Sequence, residues 1–190
     1  MARNRPFFAP ATAGLPEGWP SAPLISERRL RARVRDLGRR IRDDYRGKDL
    51  TVVGVLHGSF IFLADLVRQI ELPLICDFVR VASYGRGTRT SGRVRFEFDL
   101  THPVRRRHVL VVEDIVDTGL TMASLLRRLR SRRPASLRVC ALLWKPSRTR
   151  VPVPIDYLGF SIPDRFVVGY GLDHAGLHRN LRAVVALPGE

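Results

Sequence analysis

The stretch Val-Val-Glu-Asp-Ile-Val-Asp-Thr-Gly-Leu-Thr (Val111–Thr121) decides the fold, because it joins a buried strand to a helix through a short acidic turn. His108–Val112 is an apolar run of strand length. After Gly119 the apolar positions recur at helical spacing, at Met122, Leu125, Leu126 and Leu129. The segment therefore predicts one strand–turn–helix unit of an α/β protein.

The same order of elements recurs on both sides of this unit. Further predicted strands are Thr51–Leu56, Leu74–Ser83, Arg93–Asp99 and Leu137–Trp144, with a helix from residue 60 to Ile70 and a Gly-, Ser- and Thr-rich loop over 84–92. Alternating strands and helices predict an α/β fold with a mainly parallel, twisted sheet flanked by helices on both faces. In such sheets the binding site lies at the carboxyl ends of the strands.

The N-terminal part divides near residue 24. Residues 1–23 are rich in Pro, Ala and Gly without a sustained period, and we interpret them as an irregular or disordered arm. From Ser26, a helix N-cap, apolar residues recur at helical spacing until Gly47 offers a stop. A chain of 190 residues with 45% hydrophobic content suits a single domain over 24–190.

Composition limits the class of protein. No stretch approaches the roughly 20 apolar residues of a membrane span, and no signal peptide pattern begins the chain, so a cytoplasmic protein is expected. Cys76 and Cys140 sit in apolar runs, which predicts buried reduced thiols without metal-site spacing.

The net charge of +15 points to a polyanionic partner, either nucleic acid or phosphate-rich small molecules. Lys48 and Lys145 are the only lysines, so the excess of arginine is a chain-wide bias. That bias favours a solvated, arginine-rich surface over a dedicated nucleic-acid face, and nucleic-acid binding is not expected beyond nonspecific charge attraction.

The acidic turn itself predicts a phosphate and ribose site. Glu113, Asp114 and Asp117 follow a buried strand, where carboxylates are costly to desolvate unless something binds them. The small-residue turn at the helix start offers free N–H groups, hydroxyls and the positive end of the helix dipole, which suit a phosphate monoester. Ribose hydroxyls and magnesium are the natural partners of the acids. The alternative is an ordinary helix cap by Asp117 or Thr118 with the other acids exposed.

Residues 109–121 resemble the phosphoribosyl-pyrophosphate signature of the type I phosphoribosyltransferases, and the Glu-Asp-Ile-Val-Asp-Thr-Gly core matches their hypoxanthine-guanine branch. The resemblance implies that Glu113 and Asp114 meet the ribose hydroxyls and Mg²⁺. It also implies that Asp117 handles the proton on purine N7. The residues implied to wrap the 5′-phosphate are Asp117, Thr118, Gly119, Leu120 and Thr121.

A second similarity lies at Val55-Leu-His-Gly-Ser59, which resembles the pyrophosphate loop of the family. It implies a cis peptide between Leu56 and His57, backbone amides of Leu56, His57 and Gly58 turned toward pyrophosphate, and a further contact from Arg179. His57 departs from the Lys or Arg that is common at its position. From the residues alone, a plain strand-to-helix turn capped by Ser59 remains an alternative.

The remaining similarities concern the lid and the base. Ser83 and Tyr84 resemble the start of the lid that closes over the site. The segment Phe160–Asp173, called the hood below, resembles the purine-binding part of the family. The resemblance implies that Phe166 stacks on the base, main-chain groups at Val167 read its edge, and Asp173 lies near base and Mg²⁺. Lys145 matches a lysine that donates to the purine 6-oxo group.

Taken together, the resemblance implies Mg²⁺-dependent transfer of a phosphoribosyl group from phosphoribosyl pyrophosphate to hypoxanthine or guanine by a homodimer or homotetramer. Two alternatives stay open. One is an RNA-binding regulator built on the same fold, and the other is an enzyme that accepts xanthine or another base at the same phosphoribosyl site.

Overall fold

The computed structural model describes residues 22–83 and 94–188. Its helices are α1 (Glu27–Tyr45), α2 (Phe60–Ile70) and α3 (Leu120–Ser131), with a 3₁₀ turn at Pro146–Arg148. Its strands are β1 (Leu50–Leu56), β2 (Leu74–Ser83), β3 (Val94–Phe98), β4 (His108–Val116), β5 (Ser136–Trp144), β6 (Tyr157–Ser161), β7 (Val167–Val168) and β8 (Val185–Ala186).

Strands β1 to β6 form one sheet in the order β3-β2-β1-β4-β5-β6. The pairs β1–β2, β1–β4, β4–β5 and β5–β6 are parallel, and β3 pairs with β2 in the antiparallel sense at the edge. This arrangement confirms the predicted α/β fold with a mainly parallel sheet. The strand order reverses direction between β1 and β4, so their carboxyl ends open onto one crevice.

Helices cover both faces of the sheet, as predicted. Alternate residues of the central strands point to opposite faces, so Val52 and Leu110 pack with α1 and α2, while Val53 and Val111 pack with α3. Burying one such side chain contributes about 1.5–3 kcal/mol to stability. Because both faces are buried, β1 and β4 read as continuous apolar runs.

Helix α1 is fixed at its start and against its neighbour. The side chain of Ser26 accepts a hydrogen bond from the Arg29 amide, which confirms the predicted N-cap. Gly38 lies so close to Gln69 of α2 that a Cβ there would overlap that residue. This close approach brings the exposed sides of α1 and α2 together. Gly47, with φ +72°, follows the helix end as predicted.

A small second sheet joins the two ends of the described chain. Strands β7 and β8 pair in the antiparallel sense, and Ile25 exchanges two backbone hydrogen bonds with Val184. The hood therefore rests on the segment that precedes α1. Neither β7 nor β8 nor β6 was predicted from the sequence, because β7 and β8 are two residues each and β6 is interrupted by Gly159.

Three sequence predictions need correction. Strand β4 continues beyond Val112 to Val116, because it keeps pairing with β5 through the acidic residues. Strand β3 ends at Phe98, one residue before the predicted end at Asp99, and Arg93 lies outside the described residues. Cys76 was expected to be buried and is exposed, since the helices cover β2, next to the edge strand, less completely than the central strands; Cys140 is buried, and both thiols are free.

No helix within the described ranges combines the length and the apolar character that crossing a bilayer requires.

Candidate active site

A cleft of about 590 Å³ opens where β4 and β5 end and the hood begins. Six of its lining residues were predicted as site residues: Asp114, Asp117, Lys145, Phe166, Val167 and Asp173. Four were not: Ile115, Arg148, Asp164 and Leu172. Residues predicted from three separate segments of the chain therefore meet in one cavity.

Glu113 and Asp114 form an acidic pair at the end of β4, and each side chain is only 9% exposed. Burial and the neighbouring Asp114 raise the pKa of Glu113 well above its usual range. Burial also raises the pKa of Asp114, against the hydrogen bond from Glu113 and the 2.9 Å bond from the Ile115 amide. Of the two, Asp114 lines the cleft. Burial therefore opposes the charge of both adjacent acids.

The loop after β1 packs directly on this pair. The peptide bond between Leu56 and His57 is cis, as the family resemblance implied. A Cβ at Gly58 would overlap the carboxylate of Asp114, and a Cβ at Gly171 in the hood would overlap the carbonyl oxygen of Gly58. Three segments thus meet at positions that admit only glycine. His57 is exposed, whereas Ser59 is buried and donates to the Val55 carbonyl at 2.6 Å instead of capping α2.

The turn before α3 is held by the backbone. Gly119 is the N-cap with φ +83° and has no side-chain cap, while the Leu120 amide donates to the Thr118 hydroxyl at 3.5 Å. That contact does not explain the acidic segment, because Glu113 and Asp114 are buried, whereas an ordinary cap would leave them exposed. The carbonyl of Thr118 accepts hydrogen bonds of 3.0 Å from the amides of Arg150 and Val151. The first N–H groups of α3, from Leu120 and Thr121 onward, have no partner within the helix, and groups of this kind are the donors that bind anions at helix N-termini.

Four charged groups alternate along the other side of the cleft. Arg148 Nε lies 3.2 Å from Asp117 Oδ1, and Arg148 Nη1 lies 3.7 Å from Asp164 Oδ2. Asp164 Oδ1 in turn lies 3.4 Å from Lys145 Nζ. Sequence reasoning missed Arg148 and Asp164, because each is one charge in a loop and only the folded chain brings them together. The one sequence signal for Arg148 is that it follows the predicted strand Leu137–Trp144, and Asp164 lies within the hood segment.

The hood supplies an aromatic surface and an ion pair. Phe166 is 36% exposed and meets His174 edge to face, with ring centroids 5.4 Å apart. Val167, the next residue, is buried in β7. Asp173 pairs with Arg179 at 2.7 Å, and Arg179 also donates to the Gly171 carbonyl at 2.7 Å. Arg179 is therefore held beside the glycine contacts that back the loop after β1.

Metal ligation and the lid stay predictions. Over the described residues, no three His, Cys, Asp or Glu side chains are grouped as a ready-made metal site. Asp114 and Asp173 both face the cleft, whereas Glu113 faces Asp114. Ser83 ends β2, and Tyr84 lies outside the described residues with the rest of the predicted lid.

Known proteins resemble the chain over most of its length. A family model described as "Phosphoribosyl transferase domain" matches residues 25–175. The hypoxanthine phosphoribosyltransferase of Haemophilus influenzae is 51% identical over 161 residues, which cover 83% of this chain and 90% of that protein. The hypoxanthine-guanine phosphoribosyltransferase of Mycobacterium avium is 47% identical over 170 residues, with coverages of 86% and 84%.

The comparison with solved structures points to the same family. The crystal structure of a hypoxanthine phosphoribosyltransferase from Staphylococcus aureus matches with a TM-score of 0.85 at 40% identity, and the match covers 88% of this chain and 91% of that one. The residues matched by the family model include every residue that lines the cleft. The chain belongs to the phosphoribosyltransferase family, in its hypoxanthine-guanine branch.

Proposed function

We propose that this protein transfers the 5-phosphoribosyl group of phosphoribosyl pyrophosphate to N9 of hypoxanthine or guanine, in purine salvage. The products are IMP or GMP and pyrophosphate. The observation that carries the proposal is the shared cleft: Lys145 and Phe166, which suit a purine base, line the same cavity as Asp114 and Asp117. A base and a ribose bound there lie side by side, which is what transfer between them requires.

The phosphoribosyl half is proposed to bind at the start of α3. The 5′-phosphate accepts from the backbone N–H groups of Gly119, Leu120 and Thr121 and from the hydroxyls of Thr118 and Thr121. The helix dipole adds to this attraction. Leu120 fits such a site because the amides, rather than its side chain, do the binding.

Asp114, Glu113 and Asp173 are proposed to serve the ribose hydroxyls and Mg²⁺. Carboxylate oxygens are the ligands that Mg²⁺ takes, and an ion held by few carboxylates keeps water and substrate oxygens as its other ligands. Two cleft-facing carboxylates therefore fit an ion that arrives with its pyrophosphate. When bound, Mg²⁺ neutralises the charge that develops on the departing pyrophosphate.

The pyrophosphate is proposed to lie against the loop after β1. The amides of His57 and Gly58 donate to it, and Arg179 supplies a guanidinium from the segment after the hood. The close packing of Gly58 on Asp114 supports this placement, because it sets the pyrophosphate amides next to the ribose acids. Ser83 and Tyr84 are proposed to lead the lid that keeps water from the reacting carbon.

At the base end, Asp117 is proposed as the catalytic residue that takes up the proton from purine N7 while N9 attacks. Phe166 stacks on the ring and main-chain groups of Val167 read its edge. Lys145 donates to the 6-oxo group. The 6-amino group of adenine cannot accept that hydrogen bond, so 6-oxopurines are preferred.

The test is pyrophosphate release with hypoxanthine, guanine, xanthine, adenine and uracil in turn, in the presence of Mg²⁺. We expect activity with hypoxanthine or guanine and none with uracil. Lys145→Gln should reduce discrimination against adenine, and Lys48→Gln, at the far end of α1, is the matched control. Activity with uracil alone overturns the purine assignment.

We also propose that the enzyme works as a homodimer or homotetramer in the cytoplasm, as the family resemblance implies. Sedimentation equilibrium of the purified chain tests the assembly, and a monomer at micromolar concentration contradicts it.

A further inference from the structure

A basic groove runs along the outer side of α1 and α2, and it shares no lining residue with the active-site cleft. Three adjoining cavities of about 290, 350 and 250 Å³ compose it. Arg31 lines all three of them, so they adjoin one another around its side chain. The charged residues of the groove are Glu27, Arg28, Arg31, Arg35, Asp65, Arg68 and Arg182.

The arginines of the groove come from three elements that are held together. Arg28, Arg31 and Arg35 follow one another at spacings of three and four residues, so they line one face of α1. Arg68 projects from α2, which the Gly38–Gln69 contact keeps close to α1. Arg182 comes from the segment after the hood. The groove is therefore a concave surface formed by three elements, and it differs in this from the solvated face of a single helix.

Positive charge in the groove exceeds what its acids neutralise. Glu27 pairs with both Arg31 and Arg182, and Asp65 pairs with Arg68 while accepting a 2.6 Å hydrogen bond from Tyr170. Five arginines and two acids line the groove, an excess of three positive charges. Arg28 and Arg35 make no ion pair within the described ranges. Exposed guanidinium groups at such spacing repel one another, and an anion relieves that repulsion.

The charge and the lining restrict the occupant. The excess of three positive charges favours an anionic occupant. Single-stranded nucleic acid is normally held by exposed aromatic side chains on which bases stack. Tyr170 is the one aromatic residue among those that line the groove, and it is buried with its hydroxyl on Asp65. An extended anion that carries no bases fits both the charge and the lining of the groove.

We propose that this groove binds a linear chain of phosphates, inorganic polyphosphate, at a site separate from the active-site cleft. Arginine forks donate two hydrogen bonds to one phosphate, and arginines at helical spacing match successive phosphates of a chain. The proposal does not rest on the activity proposed above, because none of its residues serves in that reaction.

The test compares two variants of equal charge. The groove variant carries Arg31→Gln, Arg35→Gln and Arg68→Gln. The control variant carries Arg105→Gln, Arg127→Gln and Arg130→Gln, which are exposed positions outside the groove. Calorimetric titration of the whole chain with inorganic polyphosphate is repeated over a series of salt concentrations, and thermal melts check that both variants are folded.

We expect the groove variant to bind polyphosphate about tenfold to a hundredfold more weakly than the natural chain, since three exposed charge contacts are lost. The control variant should change affinity by no more than about twofold. The salt dependence should fall only in the groove variant. Equal losses in both variants mean diffuse attraction and overturn the site. Unchanged affinity in both places the phosphate chain in the active-site cleft, and tighter binding of single-stranded RNA of equal charge makes the groove a nucleic-acid surface; either result overturns the proposal.

Discussion

Acids lie at both ends of the parallel sheet, but those at the amino end are exposed and paired, whereas those at the carboxyl end are buried. At the amino end, Asp44 accepts hydrogen bonds from Tyr157 at 2.6 Å and from Arg138 at 2.9 Å. Asp156 accepts from the Val139 amide at 2.9 Å. At the carboxyl end, Glu113 and Asp114 lie beside each other in β4, and burial works against the charge of both.

The pKa shifts follow this difference. The hydrogen bond from Tyr157 lowers the pKa of Asp44, so the amino end stabilises a charged acid. Burial and the adjacent Asp114 raise the pKa of Glu113, so the carboxyl end destabilises one. A buried charge without a partner in the protein is tolerated where a ligand supplies that partner. Strained or unpaired groups accordingly concentrate at functional sites. The following predictions test whether the two ends differ in function and in stability as this comparison requires.

The largest effect is expected at Asp117. Asp117→Asn keeps the size of the side chain and removes its capacity to take up a proton, so kcat should fall by about 10²–10⁴-fold while phosphoribosyl pyrophosphate binding changes little. Steady-state kinetics with calorimetric binding measures both. Asp44→Asn at the amino end is the control and should leave kcat unchanged. An Asp117→Asn enzyme with full turnover removes Asp117 from the mechanism.

The next effect concerns the glycine contact behind the acid pair. Gly58→Ala places a methyl group where the Asp114 carboxylate lies, so either the loop after β1 or the acid must move. A displacement near 1 Å at a reacting centre costs about a hundredfold in rate, and we expect kcat/KM to fall by that order. Gly47→Ala is the control, because a Cβ there meets nothing within 4 Å. It should cost about 1 kcal/mol of stability for its positive φ and leave turnover intact. Equal activity of both variants contradicts the contact.

The same contrast shows what the sequence could and could not reveal. The acids of β4, the α1 cap at Ser26 and the buried positions of α3 were predictable, because each depends on neighbours a few residues away. The glycine contacts of Gly58 and Gly171 were not, since they depend on three segments meeting. Arg148 and Asp164 were missed for the same reason. The family resemblance supplied Lys145 and Phe166, which spacing alone would have left as a surface charge and a core residue.

A smaller effect is expected at Glu113, where a substitution should stabilise the folded protein. Since the folded state raises the pKa of Glu113, it holds a proton that the unfolded chain releases, and stability is lost as pH rises from the ordinary range of a glutamate toward the raised pKa. Glu113→Gln removes this loss and should raise the free energy of unfolding at neutral pH by on the order of 1 kcal/mol. Urea unfolding over a pH series, without divalent cations, measures it.

Two comparisons check that result. Glu113→Gln should have impaired turnover despite its greater stability, as expected when an acid is kept for function. Asp44→Asn should be less stable than the natural chain at neutral pH, and this difference should shrink as pH falls. The reason is that the lowered pKa of Asp44 stabilises the natural chain above the ordinary range of an aspartate, and that stability is lost on acidification. If Glu113→Gln is less stable than the natural chain at neutral pH, the buried pair of Glu113 and Asp114 does not destabilise the folded state, and the prediction is wrong.

The smallest effect is expected from Tyr157→Phe at the amino end. The substitution keeps the buried ring and removes a hydroxyl that donates to Asp44 and accepts from Arg138 at 2.8 Å. Losing these bonds should cost about 1 kcal/mol of unfolding free energy, with kcat unchanged. Combining the change with Asp44→Asn should cost less than the two single changes together, because both remove the same hydrogen bond. Additive costs would mean that the Tyr157–Asp44 bond contributes nothing, and that the amino end is stabilised by packing of the ring instead.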